Sequence, residues 1–123
     1  MLNLDTHIAV SLLNGDLSDS EEQLIIGDFL ATSDIVLWEL SKLVSLKRLD
    51  MDLAAAAFTR FLRSTIVFPI TIEIARKSTK LDFASDPADE IIAATSIVET
   101  APLITRDRRI LKSKLVPFPT LSA

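Results

Sequence analysis

The chain has no cysteine, one histidine and two glycines among its 123 residues. Without cysteine there is no disulfide framework, zinc–thiolate site or thiol nucleophile. His7 alone rules out a two-histidine acid–base pair within one chain, and no nucleophile motif supports a serine–histidine–acid triad built on it. Gly15 and Gly27 fall where helices are expected to end, so no glycine-rich loop remains to cradle phosphates. No apolar run approaches the ~20 residues of a membrane span. The first residues carry Asp5 and no basic cluster, unlike a signal peptide. Together these absences lead us to expect a cytoplasmic protein.

Apolar residues make up 49% of the chain, enough for one domain over residues 1–123 with a sizeable core. Strand-like segments alternate with helical ones. Leu2 to Leu4 reads as a strand, followed by a helix from Thr6 to Asn14. Ser18, Asp19 and Ser20 offer N-caps for a second helix with Glu21 and Glu22 in its first turn. Phe29 to Thr32 is a second strand, and Ser33 caps a helix running to about Leu46. Ala54, Ala57, Phe58, Phe61 and Leu62 recur at helical spacing. Ile66 to Thr71 is a third strand, placed at an edge by Pro69, and a helix over Ile72 to Thr79 follows. Asp86-Pro87 starts a helix ending near Thr100. Leu103 to Thr105 is a fourth strand, and Val116 to Phe118 a short fifth. This alternation predicts an α/β fold with a short parallel sheet of four or five strands flanked by helices. Trp38 and the phenylalanines are read as core.

Four carboxylates sit in or beside apolar segments: Asp5, Glu39, Asp89 and Asp107. Acidic residues are rarely buried without a partner, so four attached to core-forming segments point to one pocket holding a cation. The net charge is −4, and setting these four aside would leave a neutral chain. Functional crevices in open parallel sheets lie at the strand carboxyl ends, where all four are expected to converge. Each also has a structural reading. Asp5 can cap the first helix, Glu39 can be a solvated helix residue, and Asp107 can cap a turn through Ile110. Asp86 reads chiefly as a cap, with Asp89 completing a capping-box-like pair. Arg106, Arg108, Arg109, Lys112 and Lys114 form a basic run beside Asp107 that is either a solvated face or a guide for a polyanion.

These motifs, in this order, resemble PIN-domain ribonucleases, in particular VapC-like toxins of toxin–antitoxin pairs. The resemblance rests on Leu4-Asp5-Thr6-His7, on Ser33 with Leu37-Trp38-Glu39-Leu40, on Asp86-Pro87-Ala88-Asp89 leading to Ile92-Ala93-Ala94-Thr95, and on Leu103-Ile104-Thr105-Arg106-Asp107. It implies a PIN-like domain whose acidic pocket binds Mg²⁺ or Mn²⁺. Asp5, Glu39, Asp89 and Asp107 would be both metal ligands and catalytic groups, with Thr105 and Asp86 as secondary candidates. It implies RNA as substrate, a homodimer and a small antitoxin as partner. The chain departs from the pattern at Glu90, where arginine is common, at Val36, where serine is common, and at Lys47-Arg48-Leu49, where Gly-Lys-Leu is common.

Two other functions compete. One is a non-catalytic interaction module with a structural or decayed cation site. The other is phosphoryl transfer through Asp5 as nucleophile, which would want a second acid two residues on, where this chain has His7.

Overall fold

The computed structural model describes residues 1–120. Four parallel strands, β1 (Leu2–Leu4), β2 (Leu30–Ser33), β3 (Thr65–Phe68) and β4 (Leu103–Ile104), form one sheet in the order β3-β2-β1-β4. Every strand-to-strand connection carries helices, as parallel pairing requires. The helices α1 (Thr6–Asn14) and α2 (Asp19–Ile25) join β1 to β2, while α3 (Asp34–Ser45) and α4 (Ala56–Arg63) join β2 to β3. The chain then passes through α5 (Ile72–Ser78) and α6 (Pro87–Glu99) to β4 on the other side of β1, and α7 (Arg108–Leu111) follows. The strand order therefore reverses between β1 and β4. In such sheets a crevice opens at that switch point, beyond the strand carboxyl ends.

The core is built from the buried faces of these elements. Leu2 and Leu4 of β1 pack with Ile8 of α1, Val36 and Leu40 of α3, and Ile92 of α6. Burying each such side chain contributes about 1.5–3 kcal/mol. Asn3, between the two leucines, is fully buried and faces α6, donating to the Ile92 carbonyl at 3.2 Å and to Ser96 Oγ at 2.9 Å. This polar tie fixes α6 against the central strand.

Three expectations need correction. No fifth strand forms among the described residues. Leu103 N–H donates to the Pro117 carbonyl at 2.9 Å, but Pro117 has no N–H to return to a ladder. Trp38 is 55% exposed rather than core. The buried positions of α3 are Val36 and Leu40, two residues to either side of Trp38, so the indole is rotated outward. There it lies under Lys42 Nζ, 6.0 Å from the ring centroid. Phe29 is likewise exposed, whereas Phe58 and Phe61 are buried, as their spacing requires.

Helix ends follow local chemistry. Gly15 closes α1 in the left-handed region at φ 74°. Thr100 closes α6 in the same region at φ 53°, where a β-branched residue is strained. Thr100→Gly should stabilise the fold by about 1 kcal/mol in urea or thermal unfolding. An unchanged or lower stability would show that the threonine side chain is not strained there.

Candidate active site

The site begins where β1 ends. Asp5 has an extended backbone, caps α1 and accepts from the Ile8 amide at 2.9 Å. Both readings of this residue therefore coexist: it is the cap, and it remains a ligand candidate. Across the switch point β4 ends at Ile104, whose carbonyl accepts from the Asp5 amide at 3.3 Å. Thr105 follows, and its hydroxyl accepts from the Asp107 amide at 3.1 Å. Asp107 caps α7, accepting from the Arg109 amide at 2.8 Å and the Ile110 amide at 3.4 Å. Asp5 and Asp107 line one cavity of about 350 Å³ with His7, Val10, Ser11 and Arg106. Glu39 and Asp89 are not on its wall. They stand on α3 and α6, each half-buried and each held by a neighbouring hydroxyl. Thr6 donates to Glu39 Oε1, and Ser85 donates to Asp89 Oδ2 at 3.1 Å.

The four acids are placed unequally. Burial pushes Asp5 above its ordinary value, while Thr105, the Ile8 amide and His7 oppose it and Asp89 adds to the rise. Burial likewise raises Glu39, opposed by Thr6, with Asp89 and Asp5 adding repulsion. Asp89 is raised by burial and by the charges of Asp107 and Asp86, with Ser85 opposing. Asp89 thus senses or is sensed by each of the other three. Yet among the described residues no three His, Asp or Glu side chains lie close enough to hold one ion together.

The donor chemistry nonetheless fits a hard cation. Glu39, Asp89 and Asp107 each engage one carboxylate oxygen in hydrogen bonds and leave the other free of them. Mg²⁺ demands oxygen ligands, keeps several waters and binds through one or two carboxylates, so spaced carboxylates with one anchored oxygen each suit a hydrated ion.

Asp86 and Glu90 differ from the capping scheme the sequence suggested. Asp86 has the N-cap backbone of α6, but its carboxylate makes no capping bond. Glu90 reaches back instead, accepting from the Ser85 amide at 3.3 Å. Sequence reasoning also missed Thr6 and Ser85 as anchors of Glu39 and Asp89. Thr6 lies inside the Leu4-Asp5-Thr6-His7 motif, but nothing in the sequence marks its partner 33 positions away. Another missed pair is Glu21 and Arg106, joined through Nε–Oε2 at 2.8 Å and Nη2–Oε1 at 2.7 Å.

Comparison with known proteins follows the same lines. The PIN domain family model matches residues 3–114. The chain belongs to the PIN-domain family. This is a family of nucleases. Its fold is shared with a toxin–antitoxin complex from Klebsiella pneumoniae, at 24% identity, TM-score 0.68 and 91% coverage of each chain. It is shared also with VapBC2 from Rickettsia felis, solved with a DNA fragment from their promoter, at 23% identity and TM-score 0.74, covering 97% of this chain and 98% of that one. No curated relative matches the chain.

Two pH responses follow. A carboxylate raised on folding favours the fold below its unfolded value, and that contribution is lost as pH rises through the folded value. Metal-free protein at neutral pH should therefore gain a few degrees in melting temperature from Asp89→Asn. The gain should vanish below the ordinary value of 3.8. Equal melting of the two proteins at neutral pH would contradict this.

Glu21 has the opposite sign. Arg106 beside it, helped by the Ser18 amide, holds it at about 2 rather than 4.5. Its contribution is complete above 4.5 and lost as pH falls towards 2. Acid titration of stability should show this loss in the wild type and not in Glu21→Gln.

Proposed function

We propose that this PIN domain is a divalent-metal-dependent endoribonuclease, the toxin of a toxin–antitoxin pair. The observation that supports the reading is that Asp5 and Asp107 line one cavity at the switch point of the sheet, with Asp89 and Glu39 on neighbouring helices within electrostatic reach of them. Asp5, Asp89 and Asp107 would hold Mg²⁺ or Mn²⁺ directly or through water, with Glu39 a further ligand or the group that orients water. When bound, such an ion supplies a more acidic water and stabilises charge developing on the phosphoryl oxygens.

The protein's own residues set the stage for hydrolysis. Thr6 and Ser85 fix the rotamers of Glu39 and Asp89, so neither carboxylate must reorganise as the reaction proceeds. Glu39 is well suited to take a proton from attacking water, because burial raises its affinity for one. Water attack forms a new P–O bond and breaks the bond to the 3′ oxygen, which receives a proton. The products are a 5′-phosphate and a 3′-hydroxyl, with no role for the 2′-hydroxyl. Thr105 would steady Asp5 and Asp107, and Asp86, a secondary candidate, would add its charge beside Asp89.

The toxin reading draws on the family and on the two structural neighbours, which are toxin–antitoxin complexes by name. It brings with it a cytoplasmic setting, a homodimer and a small antitoxin. Trp38, Ile66, Ile70 and Ile72 are exposed apolar side chains that support association with other chains. Among the described residues no helix is long and apolar enough to cross a membrane.

Purified protein should cut single-stranded RNA with Mg²⁺ or Mn²⁺ and stop on chelation. Asp5→Asn, Asp89→Asn and Asp107→Asn should each slow cleavage at least about 100-fold, the upper end of what losing an outer-shell partner costs. Cleavage that persists undiminished in chelator would overturn the proposal.

A further inference from the structure

The cavity beside Asp5 and Asp107 has one cationic side chain on its wall that is always charged, and that is Arg106. Its guanidinium is gripped on one edge. Nε and Nη2 donate to the two oxygens of Glu21, leaving the two Nη1 hydrogens and the second Nη2 hydrogen with no acceptor among the described residues. Glu21 is itself fixed, because it belongs to the capping box of α2 and accepts from the Ser18 amide at 2.9 Å. Its side chain is only 14% exposed, whereas that of Arg106 is 47% exposed. The pair thus has a rigid, covered anchor and an open cation.

A surface ion pair of this kind adds little stability, about 0–1 kcal/mol. Its location gives it another use. Two carboxylates line the same cavity, and their negative charge alone would repel a polyanion. Arg106 supplies the opposite charge on that wall, with a planar fork that matches two phosphate oxygens. Arg108, Lys112 and Lys114 are exposed in the segment that follows it in the chain.

We infer that Arg106 binds a backbone phosphate of the RNA strand through its free edge, and that Glu21 is the positioning residue that aims it. The inference rests on the ribonuclease reading and assigns it a substrate contact outside the acidic set. Glu21 is 85 positions from Arg106, so the contact joins α2 to a segment distant in the chain. Loss of the fork should act mainly on substrate binding, raising KM more than it lowers kcat.

The test is binding of single-stranded RNA by fluorescence anisotropy in chelator over a salt series, alongside cleavage kinetics with Mn²⁺. Arg106→Ala is expected to weaken binding about tenfold, the loss of a hydrogen bond to a charged group. It should also lower the slope of log affinity against log salt by about 0.7, one phosphate contact on a single strand. Glu21→Gln keeps the guanidinium and should keep the wild-type salt slope. If Arg106→Ala does not fold, Arg106→Gln removes the charge while keeping the stem and carries the same expectation. Wild-type affinity and slope in the Arg106 variants, with wild type cutting RNA, would overturn this inference alone. So would Glu21→Gln leaving RNA affinity and KM at wild-type values, since Glu21 would then not aim the arginine. A wild type that neither binds nor cuts RNA would overturn the ribonuclease reading itself.

Discussion

A carboxylate at the carboxyl end of a central parallel strand has little water to stabilise it, and Asp5 is 5% exposed in that position. Its charge is sustained by what surrounds it: the Ile8 amide at the start of α1, the Thr105 side chain after β4, and His7 on the open side. Remove any of these and the cost of burying the charge rises. The parallel pairing of β1 with both β2 and β4 makes the position unavoidable, because it sets the end of β1 between its neighbours. Asp5 therefore ties fold and site together. It starts α1, and it brings negative charge to the place where the strand order reverses.

The other acids are arranged around that fixed point at a distance rather than against it. Burial and mutual repulsion raise Asp5, Glu39 and Asp89 together, which is the signature of groups held near one another at some cost. A fold that sought only stability would not place three acids this way. The hydroxyls of Thr6 and Ser85 each anchor one of them.

Much of this was legible in the sequence, for reasons that particular residues make clear. Ser33, Pro87 and Gly15 mark element boundaries through local backbone chemistry, and the structure places them at a helix cap, a helix start and a helix end; Pro69 was expected inside an edge strand reaching Thr71, and β3 is an edge strand but stops at Phe68. The acids stood out because each interrupts or borders an apolar segment. What remained hidden was long-range or rotational. Nothing in the sequence pairs Glu21 with Arg106. Trp38 turned outward because helix phase, not hydrophobicity alone, decides which side is buried. Val116 to Phe118 looked like a strand by composition, but Pro117 limits it to a single accepted bond. Two departures from the family pattern also became intelligible. Val36 is fully buried in the core, and Lys47 adopts φ 57° where glycine is common.

If these separated acids act as one divalent-cation site, they should all sense the same bound ion. Mn²⁺ is paramagnetic and broadens nuclear resonances near where it binds, so a titration at substoichiometric Mn²⁺ reads the location without any activity assay. With one shared site, amide signals of Asp5 to His7, Ser85 to Asp89 and Thr105 to Asp107 should broaden together with those around Glu39, and Mg²⁺ should reverse the effect. Broadening centred on other acidic surface, such as Asp50 and Asp52 or Asp19 and Glu22, with those four segments unaffected, would contradict it.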